Sequence, residues 1–170
     1  MARYNQWMNQ KLYAKVGLLS AEDIAKDRGA FFSSILATLN HILVGDLLWF
    51  RRFASSKAHK QALEALQAMP TPTGLRDVLF NDIESLLTAR ETMDQLILSF
   101  SDTWNESNLE ESIRYRNMKG EKYAQPLGAL LQHVFNHQIH HRGQVTTLLF
   151  QAGIDPEATD MLVMMMEEAT

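Results

Sequence analysis

An all-α fold, a bundle of four long helices with smaller ones beside them, is what the sequence predicts. Two observations carry that expectation. Only four prolines and eight glycines occur in 170 residues, and most are clustered between long stretches of helix-forming residues. Within those stretches the apolar residues recur at intervals of three and four, the spacing of one helix face. With 46% apolar residues the chain can build one substantial core, so residues 1–170 are read as a single domain.

Taken in order, residues 3–18 place Tyr4, Trp7, Met8, Leu12 and Val16 at near-helical spacing, which gives helix one. Ser20-Ala-Glu-Asp23 resembles a capping box and starts a short connector helix. From Ala30 to about Ser56 the chain is apolar nearly all round, the mark of a helix buried on most sides. AMPTPTG interrupts the pattern, after which Leu75, Val78, Leu79, Ile83, Leu86, Leu87, Met93, Leu96 and Ile97 define helix three to about Phe100. Helical periodicity then lapses. SIRYRNMKGEKYAQP alternates around the turn-forming stretch NMKG, as a short β-hairpin or an extended loop does before the last long helix. Pro126 fits the first turn of helix four, which reaches about Phe150 and stops at Gly153. Asp155-Pro156 suits the start of a C-terminal helix whose Met161, Leu162, Met164 and Met165 supply an apolar face, with core packing favoured over a dimer interface.

Sixteen basic against twenty acidic residues give a net charge of −4, and basic clusters as short as Arg51-Arg52 do not follow a phosphate backbone. No nucleic-acid partner is expected. Absence of cysteine rules out disulfides, thiolate metal sites and a cysteine nucleophile. No signal-peptide apolar core and no membrane-length apolar run are present, so a soluble, cytoplasmic protein with no membrane partner is expected.

The segment HVFNHQIHHRGQ packs four of the six histidines into nine positions of helix four. At roughly 100° per residue, with His137 at zero, the apolar residues of this helix centre near about +70°, His141 lies near about +40°, and His133 and His140 fall near about −40° and −60°. His137 and His141 therefore point inward, four residues apart on one face, the spacing that lets two imidazoles hold one ion. A shared metal would satisfy the polar atoms that both bury. The best third donor is His41, alone in the middle of the apolar helix two. Asp46, on another side of that helix, suits a hydrogen-bond or salt-bridge role; His59 is assigned to the surface. Three histidines without a fourth protein ligand leave an open position, the pattern of a catalytic metal site. His133, one turn before His137, is a candidate base or supporting residue against the alternative of a solvated histidine. Tyr4, Trp7, Trp49, Tyr115 and Tyr123 are candidates to line a pocket formed by helix one, helix two and the 101–125 insertion, or else belong to the core.

YNQWMNQKLY, RGAFFSSILATLNHILVGDLLWFRRF and HVFNHQIHHRGQVTTLLFQAGI together resemble the DinB-like (DinB/YfiT) family of helical metal-binding proteins over almost the entire chain. The chain departs from the usual family pattern at its beginning, where YNQW normally follows several more residues of helix one. The resemblance implies a four-helix bundle of DinB/YfiT-like connectivity, a homodimer, and one divalent metal held by His41, His137 and His141. In the family pattern His140 and Arg142 are not ligands, and their wheel positions suit packing, the dimer surface or support of the ligands. Relatives in the wider superfamily that use bacillithiol, mycothiol or glutathione extend the expectation to a metal-dependent thiol S-transferase or hydrolase acting on a small-molecule substrate, with a low-molecular-weight thiol as cosubstrate. The alternative is a metal-stabilised binding or stress-response protein without chemistry. Imidazole ligation leaves zinc, nickel, iron and manganese open while disfavouring magnesium and calcium, and the absence of Glu-x-x-His in helix four argues against a di-iron carboxylate site.

Overall fold

Several helix starts in this chain are set by side chains that capture free backbone N–H groups. In the computed structural model, which describes residues 1–169, α1 (Ala2–Val16) leads into α2 (Ala21–Ala25), where Ser20 accepts from the Asp23 N–H as expected. Ser34 caps α3 (Ile35–Phe53) and Asp82 caps α4 (Ile83–Ser101) in the same way, each accepting from the amide three residues on. α5 (Glu106–Leu109), β1 (Ser112–Arg116), β2 (Lys122–Pro126), α6 (Leu127–Gln151) and α7 (Met161–Glu167) complete the order, with a 3-10 turn over Glu64–Ala68. Each of the four long helices packs against two others: α1 touches α4 and α6, and α3 touches the same pair. Ile35, Leu43, Leu47, Phe50, Leu86, Met93, Phe100, Leu127, Val145 and Leu149 fill the space between them. The fold is therefore mainly helical, as the sequence predicts. Among the described residues no helix is long and apolar enough to cross a membrane.

Of the hairpin and extended loop expected before α6, the structure has the hairpin. β1 and β2 pair antiparallel with Tyr115 opposite Tyr123, around a turn in which Gly120 takes φ +81°. Ile113 is buried beneath it, and the strands rest on α3 and α6. The short α5 escapes sequence periodicity because it is held by reciprocal caps between Asn105 and Asn108.

Three boundaries differ from expectation. The second long helix begins at Ile35 rather than Ala30, because Ala30 to Ser33 form a tight turn in which Ser33 takes φ +66°. The third begins at Ile83, although apolar spacing favours a start near Leu75. The buried Asn40 side chain accepts from the Leu79 and Phe80 amides at 2.8 and 3.0 Å and donates to the Phe80 carbonyl at 3.0 Å, so the segment before Asp82 is tied to α3 in place of helical hydrogen bonds. The last helix begins at Met161, not after Pro156. Asp155 accepts from the Glu157 amide and Glu157 takes φ +61°, which breaks the helix before it starts. Its methionines are also mostly outside the core: Met164 is buried, but Met161, Leu162 and Met165 are exposed.

Candidate metal centre

The packing of α3 on α6 brings His41, His137 and His141 together, with one candidate ligand atom from each lying within 4.8 Å of the others. Nε2 of His41 stands 3.0 Å from Nε2 of His137. Gly45, one turn after His41, makes the approach possible, since a Cβ there would lie 2.8 Å from His137 Cε1. Two of the rings are oriented from behind. His41 Nδ1 donates to the Leu75 carbonyl at 2.7 Å, and His141 Nδ1 donates to Gln144 Oε1 at 2.8 Å, which leaves Nε2 of each ring as the unprotonated nitrogen, that of His41 accepting from His137 Nε2. Phe32 stacks on His41 with ring centroids 3.9 Å apart and meets His141 edge-on, covering the group on one side.

All three imidazoles are held below the ordinary pKa of 6.5. Burial is the main cause in each case, opposed at His41 by the Leu75 carbonyl and at His141 by Gln144. His137 is pushed down to about 3 by burial and then by the neighbouring histidines. Neutral rings are the form that ligates a metal. Among the described residues no carboxylate joins the group. Three converging imidazole nitrogens match the donor preference of a divalent transition metal.

One consequence is testable on metal-free protein. Each ring has a folded-state pKa below its unfolded value near 6.5, so the unfolded chain binds more protons below neutrality and stability falls with pH. The loss is expected to begin as the pH drops through 6.5 and to continue toward about 3, where His137 takes its proton. Urea midpoints at about pH 7.5 and about pH 5 check this. Loss of the pH dependence in His137→Ala would trace it to the group, and equal wild-type midpoints would contradict it.

Comparison with known proteins bears on the same arrangement. The family model described as DinB family matches residues 1–169. The chain belongs to the DinB family. Protein DinB of Bacillus subtilis (strain 168) is 27% identical over 162 residues, covering 92% of this chain and 87% of that one. The uncharacterized protein YrdA of the same organism is 34% identical over 64 residues, 38% of this chain and 35% of its own. A DinB-like protein from Bacillus cereus ATCC 10987 shares the fold, with a TM-score of 0.58, 18% identity and 89% of both chains covered.

Within this DinB-family chain the remaining sequence candidates separate clearly. His133 and His140 are exposed, as helical angle predicts. His133 nevertheless lines, with His41, His137, Trp49, Arg52 and Met118, a cavity of about 260 Å³ beside the histidine group. His140 accepts from Gln144 at 3.3 Å. Asp46 is an ion-pair partner as anticipated, joined to Arg90. Arg142 is internal, bonded to Asn5, to Asn9 at 3.3 Å and to Gln138 at 3.1 Å.

Two expectations are corrected. His59 is buried, not on the surface, because residues 54–68 fold back so that its ring meets Phe100 and Nε2 lies 3.1 Å from Glu111. Tyr4 and Trp7 do not line the cavity: Tyr4 donates to the Thr159 carbonyl at 2.6 Å and Trp7 to Glu167 at 2.8 Å, so that face of α1 meets the C-terminal segment. Leu75 and Gln144 escaped sequence reasoning. A backbone carbonyl leaves no signature, whereas Gln144, three residues after His141, was readable as a helical neighbour.

Proposed function

We propose that His41, His137 and His141 hold one divalent transition metal, and that the chain is a metal-dependent enzyme acting on a small molecule by thiol transfer or hydrolysis. The observation that carries this reading is the all-histidine group, two of whose members, His41 and His137, line a cavity of about 260 Å³, with no carboxylate to complete its shell among the described residues. A metal bound there supplies Lewis acidity, lowering the pKa of a thiol or water at its open position. The protein's own part is orientation and exclusion of water. Leu75 and Gln144 fix the ring tautomers, Phe32 shields His41, and Trp49 and Met118 give the cavity apolar walls. His133, at the same cavity and 6.3 Å from His137 between ring centroids, is positioned to accept a proton from an entering thiol or water.

Cobalt(II)-substituted protein tests the reading. Adding glutathione or 2-mercaptoethanol is expected to produce a sulfur-to-cobalt charge-transfer band if a thiol reaches the open position, whereas a site that keeps water there is expected to ignore the thiol and to show d–d bands that shift with pH as the water deprotonates. A metal that accepts neither exogenous thiol nor exchangeable water, and whose removal lowers the thermal midpoint sharply, would support the non-catalytic scaffold instead.

A further inference from the structure

A groove of about 790 Å³ lies between α3 and the hairpin and is lined by five of the chain's sixteen lysines and arginines. Among the described residues no acidic one lines it, although the chain as a whole is net negative. Two of the five cations are committed to the fold: Arg51 donates to the Leu66 and Met69 carbonyls at 2.9 and 2.7 Å, and Arg116 to that of Gly120 at 2.7 Å. Arg52, Arg114 and Lys122 remain, and among the described residues no carboxylate pairs with them.

Arg52 is the informative member. It is half-buried, its guanidinium lies 4.4 Å from the Trp49 ring and 5.4 Å from the Tyr115 ring, and burial lowers its pKa. A cation held on aromatic faces keeps its in-plane N–H donors for another partner. The same residue lines the histidine cavity, so cavity and groove meet at Leu48 and Arg52. Across the hairpin, Tyr115 and Tyr123 stack with centroids 5.7 Å apart, and the register sets Arg116 against Lys122 beside them. The groove therefore combines an aromatic surface with an unneutralised positive field in a volume suited to a small ligand, and it is too short to track a phosphate backbone.

We propose that this groove binds a small aromatic acid, its ring against Tyr115 and Tyr123 and its anionic group on Arg52, with Arg114 and Lys122 adding to the field. The site's substrates then belong to this class. That last step rests on the proposed function, because Arg52 joins the groove to the histidine group; binding itself does not require the metal.

Calorimetric titration with 2-naphthoate, neutral 2-naphthamide and a ten-residue oligothymidylate tests the proposal on wild-type protein with and without metal. Naphthoate is expected to bind at least about tenfold more tightly than the amide, as a charge-assisted pair with Arg52 requires, in both metal states. Arg52→Gln should abolish that preference, and the exposed pair Arg114→Gln and Lys122→Gln should reduce it about threefold, which keeps the test intact if Arg52→Gln does not fold. Equal affinity for acid and amide, an unchanged preference in the variants, or tighter binding of the oligonucleotide overturns the proposal. If naphthoate binds as expected while no metal is taken up, the proposed function fails and this inference stands; if metal binds normally and naphthoate does not, the reverse holds.

Discussion

Arg90→Ala is expected to cost about 3–5 kcal/mol of folding stability, the range for breaking a buried ion pair by removing one partner. Arg90 is 1% exposed, paired with Asp46 and, at 2.9 Å, with Asp94, both also buried. Burial works against the Arg90 cation, but Asp94 and Asp46 outweigh it and raise its pKa. The two carboxyls feel the opposite contest, burial raising them and Arg90 lowering them. Asp94 also accepts from Asn9 at 2.9 Å and Asn5 at 3.2 Å, and Arg142 bonds Asn5, Asn9 and Gln138, whose amide donates to Asp46. The network thus ties α1, α3, α4 and α6 together. Without Arg90, burial is opposed at the carboxyls only by the Gln138 and Asn9 hydrogen bonds and by Arg142, so their folded-state pKa rises further above the unfolded value. A group so shifted stabilises at low pH and loses that contribution as pH rises through its folded pKa. The variant should therefore be less impaired at about pH 5 than at about pH 8 in urea titrations. A loss below about 1 kcal/mol would show that the network contributes little.

Gly45→Ala is expected to weaken metal binding about 10- to 100-fold, the range for disturbing what orients a ligand, although no proposed ligand is altered. The added Cβ would lie 2.8 Å from His137 Cε1, so the half-buried ring must leave its position facing His41. The same substitution favours the helix itself by about 1 kcal/mol. Stability of the metal-free protein should therefore hold while affinity falls, a divergence that general damage to α3 would not give. Chelator competition read alongside thermal denaturation checks both, and an unchanged affinity would show that His137 is not held against Gly45.

Helical angle alone separated His137 and His141 from His133 and His140, because α6 is long and regular enough for the approximation of 100° per residue to hold along it. His41 was legible for a different reason: a polar ring in a nearly all-apolar helix needs a partner. The hairpin was readable from alternation and the NMKG turn. What failed was governed by side chains distant in sequence. Asn40 captures the backbone near Phe80 and so delays α4 to Ile83, and no periodicity in residues 75–82 reports that. His59 looked solvated because its stretch is polar, yet Glu111 and Phe100 bury it. The cation-rich groove joins Arg52 to Arg114 and Lys122 across a fold that brings α3 under the hairpin, and short basic clusters do not reveal such a juxtaposition.

The proposed metal centre is most directly tested by elemental analysis of protein purified without an affinity tag, compared with His41→Ala, His137→Ala and His133→Ala. About one equivalent of a divalent transition metal is expected in the wild type and in His133→Ala, with loss in the other two. Metal content unchanged in His41→Ala and His137→Ala, or a wild-type protein that neither carries nor takes up a transition metal, would contradict the assignment.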